Sequence, residues 1–142
     1  MPQKMWVRDP DAGGIPIPPA VRRKTEEQIR RSAEQHFAGK YTRLEIRFRG
    51  VFCYIDAYTE PVLTPGWPPP DGPESREDYA ERLRNTPTHL CRLRYYGDRP
   101  DGWSFAFFAY SSEKYELCIF PSGEFWGTPE EAFVAAAQSY LG

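Results

Sequence analysis

The clearest pattern in the chain lies in residues 41–49, where Leu44, Ile46 and Phe48 alternate with Arg43, Glu45, Arg47 and Arg49. A period of two puts the two sets on opposite sides of a strand, so this stretch predicts one oily and one charged face. Gly50 marks a tight turn or bulge, and a second strand follows over 51–58. Val51, Cys53, Ile55 and Ala57 take one of its faces, and Phe52, Tyr54, Asp56 and Tyr58 the other. Residues 89–96 alternate again, with Leu90, Arg92, Arg94 and Tyr96 set against His89, Cys91, Leu93 and Tyr95. The aromatic run 103–110 predicts a central strand buried on both faces; 115–120 predicts another, and Phe125-Trp126 a short last one.

Helical spacing appears in three places. Ile29, Ala33 and Phe37 recur every fourth residue within a helix spanning about 20–38. Pro19 suits its first turn, while Thr25 and Gln28, three apart, offer a capping box as an alternative start. Gly39 stands where a left-handed cap ends such a helix. A short helix is predicted from Ser75 and Asp78 to about Arg84, with Tyr79, Ala80 and Leu83 on its apolar side. The last helix carries the fullest signature: Thr128 to cap, Pro129 at the first position, Glu131 to close the box, and Phe133, Ala136, Ala137, Tyr140 and Leu141 as the buried stripe.

The links from His89 onward are too short for crossover helices, so successive strands must pair as hairpins. The expected fold is therefore α+β: a two-layer sandwich with a mainly antiparallel sheet of about five strands, a helix near each end, and a short helix between strands 2 and 3. The 142 residues fit a single domain. Proline divides it. Five of the 15 prolines fall within residues 1–20 and six within 61–73, and neither stretch can be an interior helix or a central strand. Residues 1–19 read as an extended arm, 20–142 as the α+β domain, and about 60–74 as a long surface loop.

Charge sharpens this picture. The net charge of −2 divides unevenly: residues 1–50 hold 11 Lys and Arg against 6 Asp and Glu, and residues 51–142 hold 7 against 14. If the oily face of each strand turns toward the helices, Arg43, Arg47 and Arg49 share the opposite face with Tyr54 and Tyr58, and with Arg92, Arg94 and Tyr96. Arginine interleaved with tyrosine suits a protein interface, including one between two copies of this chain. It also suits single-stranded nucleic acid, with guanidiniums on phosphates and rings on bases. Paired through Glu45, Asp56 and Glu116, the same residues would make an ordinary solvated face. Trp67, and Trp6 likewise, lie in proline-rich segments where an indole is well placed to be covered by a partner.

Other chemistry is thinly represented. No Cys-x-x-Cys, His-Glu-x-x-His or glycine-rich phosphate loop occurs, so no metal or cofactor is expected. The two histidines, His36 and His89, leave one route to catalysis: a site assembled in three dimensions around His89, Asp56, Tyr58 and Glu60. Cys53, Cys91 and Cys118 are widely spaced and odd in number, as expected of buried, reduced thiols in a cytoplasmic protein. No apolar run reaches membrane-spanning length, so no membrane partner is expected. The reading these residues favour is a small non-catalytic binding module that uses its Arg/Tyr sheet face for a protein partner or a second copy. A single-stranded nucleic-acid binder and a small enzyme are the alternatives.

Overall fold

A computed structural model describes residues 9–142. Trp6 and the rest of residues 1–8 lie outside the described residues. Helix α1 (Pro19–Phe37) leads into strands β1 (Arg43–Arg49) and β2 (Phe52–Tyr58); helix α2 (Arg76–Arg84) separates these from β3 (Thr88–Tyr95), β4 (Trp103–Ala109) and β5 (Lys114–Cys118); helix α3 (Pro129–Tyr140) ends the chain. The strands pair in chain order, β1-β2-β3-β4-β5, and every pairing is antiparallel. The α+β class, the five strands, the helix near each end and the short helix between β2 and β3 are as the periodicity and the short links require.

Pro19 is the true start of α1, and Thr25 is buried in its interior rather than capping it. Ser75 caps α2, its hydroxyl accepting from the Asp78 amide at 3.0 Å. In α3 the capping box closes completely: Thr128 Oγ1 accepts from the Glu131 amide, and the Glu131 carboxylate accepts from the Thr128 amide at 2.9 Å. This satisfies amides that a helix start otherwise leaves open.

Helices α1 and α3 cover one face of the sheet. Ile29, Ala33 and Phe37 meet Phe133, Ala136 and Ala137 over Leu44, Cys53, Ile55, Leu93 and Phe105. The Phe37 and Phe133 rings meet edge to face at 5.8 Å, and burying each ring contributes roughly 2–3 kcal/mol. Helix α2 contributes nothing to this core. None of its residues is buried, and its segment is held by exposed ion pairs of Arg82 with Glu74 and of Arg84 with Glu60 and Glu81.

Three expectations are corrected. Residues 125–126 form no strand; instead an isolated bridge joins Trp103 to Gly127. Strand β4 is not central but second from the edge, and it is only half-buried at Phe107 and Phe108. The strict alternation along β3 also fails. Ile55 pairs with Cys91 while Asp56 pairs with His89, so Leu90 is an extra residue in the ladder. This bulge lets Leu90 and Cys91 both be buried, and it turns His89 to the face of Arg92 rather than that of Leu93.

The segment before α1 is fastened to the domain. Ile17 is 2% exposed and belongs to the core. The Ile15 and Ile17 amides donate to the carbonyls of Tyr95 and Gly50. Gly14, at φ +100, passes so close to β3 that a Cβ there would sit 2.7 Å from the Tyr95 carbonyl oxygen. Residues 9–13 then continue onto the sheet face opposite the helices.

Candidate functional site

On that outer face the register lines up Arg49, Phe52, Arg94 and Ser104 in one row across β1 to β4. The next row runs Arg47, Tyr54, Arg92, Ala106 and Leu117 across all five strands. A third brings Glu45, Asp56 and His89 together, with Phe108 paired to Tyr115 beyond. The guanidiniums lie on rings: Arg43 3.8 Å from the Tyr58 ring centre, Arg92 4.4 Å from Phe52 and 5.3 Å from Tyr115, and Arg94 4.7 Å from Phe52. Such contacts contribute about 0.5–1 kcal/mol where exposed and more where desolvated.

The centre of the face is organised by Asp56, a carboxylate only 2% exposed. Its Oδ2 accepts from Arg47 Nη2 at 3.0 Å, and its Oδ1 lies 2.9 Å from His89 Nδ1. A buried carboxylate is tolerable only with such partners. The His89 amide donates to the Tyr110 hydroxyl at 2.7 Å, and its ring packs on Phe108. Beside this cluster lies a groove of about 530 Å³ whose walls include Arg47, Arg49, Tyr54, His89, Phe108 and Tyr115. Burial, followed by the Asp56 charge, pushes the Tyr115 hydroxyl up to about 12, so it stays protonated and able to donate.

The far end of the face is already occupied. Arg94 Nη1 donates to the Gly13 carbonyl at 2.9 Å, and Arg94 is left 14% exposed with Asp11 4.0 Å away. The Tyr96 hydroxyl lies 2.7 Å from the carbonyl oxygens of both Asp9 and Ala12, and Ser104 Oγ donates to the Pro10 carbonyl at 2.6 Å.

Of the residues singled out from the sequence, Arg47, Arg49, Tyr54 and Arg92 converge around the open groove or its border. Arg43 and Tyr58 pair at one end, and Arg94 and Tyr96 lie beneath the arm. Trp67 does not join them. It is 54% exposed in the proline loop, where its carbonyl accepts from Arg76 of α2. Of the four residues considered for catalysis, only Asp56 and His89 meet. Tyr58 turns its hydroxyl to Glu45, and Glu60 is held by Arg84. No serine, threonine or cysteine lines the groove.

Sequence reasoning missed Phe108 and Tyr115. Treating β4 as buried on both faces hid them; the hairpin through residues 110–113 pairs Ala109 with Lys114 and so Phe108 with Tyr115. Among the described residues, no group of three or more His, Cys, Asp and Glu side chains is placed to hold a metal ion. No helix among them is long and apolar enough to cross a membrane. Cys53 and Cys91 are buried and free, but Cys118, expected to be buried with them, is free and only partly buried on the edge strand β5; burial pushes the Cys53 thiol up to about 12 and Cys91 well above its ordinary value.

A scan of protein-family models finds no match to the chain, and neither a search of curated proteins nor one of solved structures finds any.

Proposed function

We propose that the protein is a binding module that takes an acidic segment of a protein partner on its outer sheet face. The observation that carries this reading is the arm itself. Side-chain donors of the face, Arg94, Tyr96 and Ser104, hold the backbone carbonyls of a proline-containing turn, residues 9–13, in which the Ala12 amide donates to the Asp9 carbonyl at 3.3 Å. The adjoining groove repeats the same chemistry and is left open by the described residues. Charge favours an acidic occupant. Arg43, Arg47, Arg49 and Arg92 share the face, and among the described residues Arg49 and Arg92 make no ion pair. Two such faces pressed together would oppose their own cations, which speaks against a second copy as the occupant. Stacking of unpaired bases needs open ring faces, and guanidiniums already lie over Phe52, Tyr58 and Tyr115. Catalysis has less support, because only Asp56 and His89 of the considered residues come together. The free, buried thiols agree with a reducing compartment such as the cytoplasm.

The test is titration of the full chain with a random Glu–Tyr copolymer and with single-stranded oligo(dT), followed by anisotropy. The copolymer should bind, and Arg49→Glu with Arg92→Glu should weaken it by about tenfold or more, equivalent to about 1.4 kcal/mol. Preferential binding of oligo(dT) with a steep loss in salt would replace this reading with nucleic acid. A dimer in sedimentation that the same double variant dissolves would replace it with self-association.

A further inference from the structure

Within this reading, on which the inference rests, we propose that the open groove is a carboxylate-and-ring subsite: it holds an Asp or Glu side chain of the partner segment next to an aromatic residue, with Asp56 as the positioning residue. All five strands contribute walls, Arg47 and Arg49 from β1, Tyr54 from β2, His89 from β3, Phe108 from β4 and Tyr115 from β5. The two classes of lining residue are separate in kind. Arg47 and Arg49 supply donors, while Phe108, Tyr54 and Tyr115 supply ring edges and faces in mutual contact, at 5.6 Å between Tyr54 and Tyr115 and 5.1 Å between Phe108 and Tyr115. An acidic residue beside an aromatic one matches both.

The Asp56 carboxylate does not compete for the ligand, because it is buried and each oxygen already has a partner. Its effect is on direction. It engages one nitrogen of Arg47 and one of His89, and so restrains how the remaining donors of Arg47 meet an anion and how the imidazole ring is oriented beside them. Guanidinium is suited to this use, since its fork keeps further N–H groups after one is bound. Arg47 is shared between two carboxylates, Asp56 at 3.0 Å and Glu45 at 3.8 Å, whereas Arg49 is not committed to any carboxylate among the described residues and is the cation left for an anion. The chain supplies an internal precedent at the other end of the face, where Asp11, in the turn of residues 9–12, stands 4.0 Å from Arg94. That precedent is an acidic side chain within a running segment, which is why the subsite is assigned to an internal Asp or Glu rather than to a chain end.

The experiment uses three acetylated and amidated peptides, each titrated by amide chemical shift into the full chain: Pro-Glu-Tyr-Glu-Pro, the same with both Glu changed to Gln, and the same with Tyr changed to Ala. The Glu–Tyr peptide should bind about tenfold more tightly than the Gln version, as expected for loss of charge-assisted hydrogen bonds. Shifts should centre on the amides of Arg47, Arg49, His89 and Tyr115. Arg49→Gln should abolish the Glu/Gln difference, and Asp56→Asn, close in shape, should reduce it while leaving residual binding of the Gln peptide. A merely structural role for Asp56 would weaken both peptides equally and would overturn the positioning assignment. Equal binding of the Glu and Gln peptides on this face would overturn the subsite and the preference for acidic segments, and leave only peptide binding on this face standing. Binding of none of the three would overturn both.

Discussion

The two ends of the outer sheet face are built from the same residue types and have opposite fates. At one end Arg94 and Tyr96 are spent on the chain's own arm, hydrogen-bonded to Gly13, Asp9 and Ala12. At the other, Arg47, Arg49, Tyr54 and Tyr115 border an open groove. Composition does not distinguish the ends, because both present guanidinium and phenol. What separates them is where the chain enters the fold. Ile17 is buried in the core, and residues 9–13 before it turn around the end of the sheet onto the donors of the Arg94 end. The covered end also shows what such a surface does with a chain segment: side-chain donors bind the carbonyls of the turn at residues 9–13, while the Ile15 and Ile17 amides that follow bond to backbone carbonyls.

The contrast is broken most severely at the open end. Replacing Arg47 and His89 together with Ala leaves Asp56 buried without either partner, and the expected loss is about 3–5 kcal/mol in urea unfolding at neutral pH. A loss below about 1 kcal/mol would mean that water reaches the carboxylate and that it organises nothing. At the covered end, Ile17→Ala should cost about 2–4 kcal/mol through the cavity it leaves. It should also loosen the arm, read as faster hydrogen exchange at the Ile15 amide than in the parent. Unchanged exchange there would show that the arm is held by Arg94, Tyr96 and Ser104 alone.

The smallest effect concerns alkaline pH. Tyr115 ionises near 12 in the folded protein, against about 10 for an ordinary tyrosine. Its contribution to stability is therefore complete below pH 10 and lost as pH rises from 10 toward 12, since only the unfolded state releases the proton in that window. Tyr115→Phe should flatten the fall in stability over that range relative to the parent. Cys53 and Cys91 add a slope of the same sign from about pH 9, which the variant should retain. An unaltered slope in the variant would place the Tyr115 hydroxyl in free exchange with solvent and weaken the case for a sheltered groove wall.

Much of this was legible in the sequence, and the reasons are local. Alternation in β1 and β2 determined which side chains share the outer face, because Cβ direction reverses at each strand residue. Caps at Ser75 and Thr128, and the four-residue stripe of Ile29, Ala33 and Phe37, marked the helices without reference to anything distant. Hairpin-length links then left only an antiparallel sheet. The facing of His89 was different. A strict period of two set it among Cys91 and Leu93, and only the extra residue Leu90 in the pairing of β3 with β2 turned it toward Asp56. A bulge answers to the partner strand and to core volume, here room for Leu90 and Cys91 side by side, so no periodicity within β3 could announce it. The arm's path is of the same kind. Its prolines excluded helix and central strand but said nothing of direction, which was decided by the core site for Ile17 and by carbonyls meeting donors some eighty to ninety residues away, as in the contacts of Arg94, Tyr96 and Ser104. Residue chemistry and facing were therefore properties of the sequence, whereas which end of the face stays open was a property of the packed chain, because only packing brings such distant partners within hydrogen-bond reach.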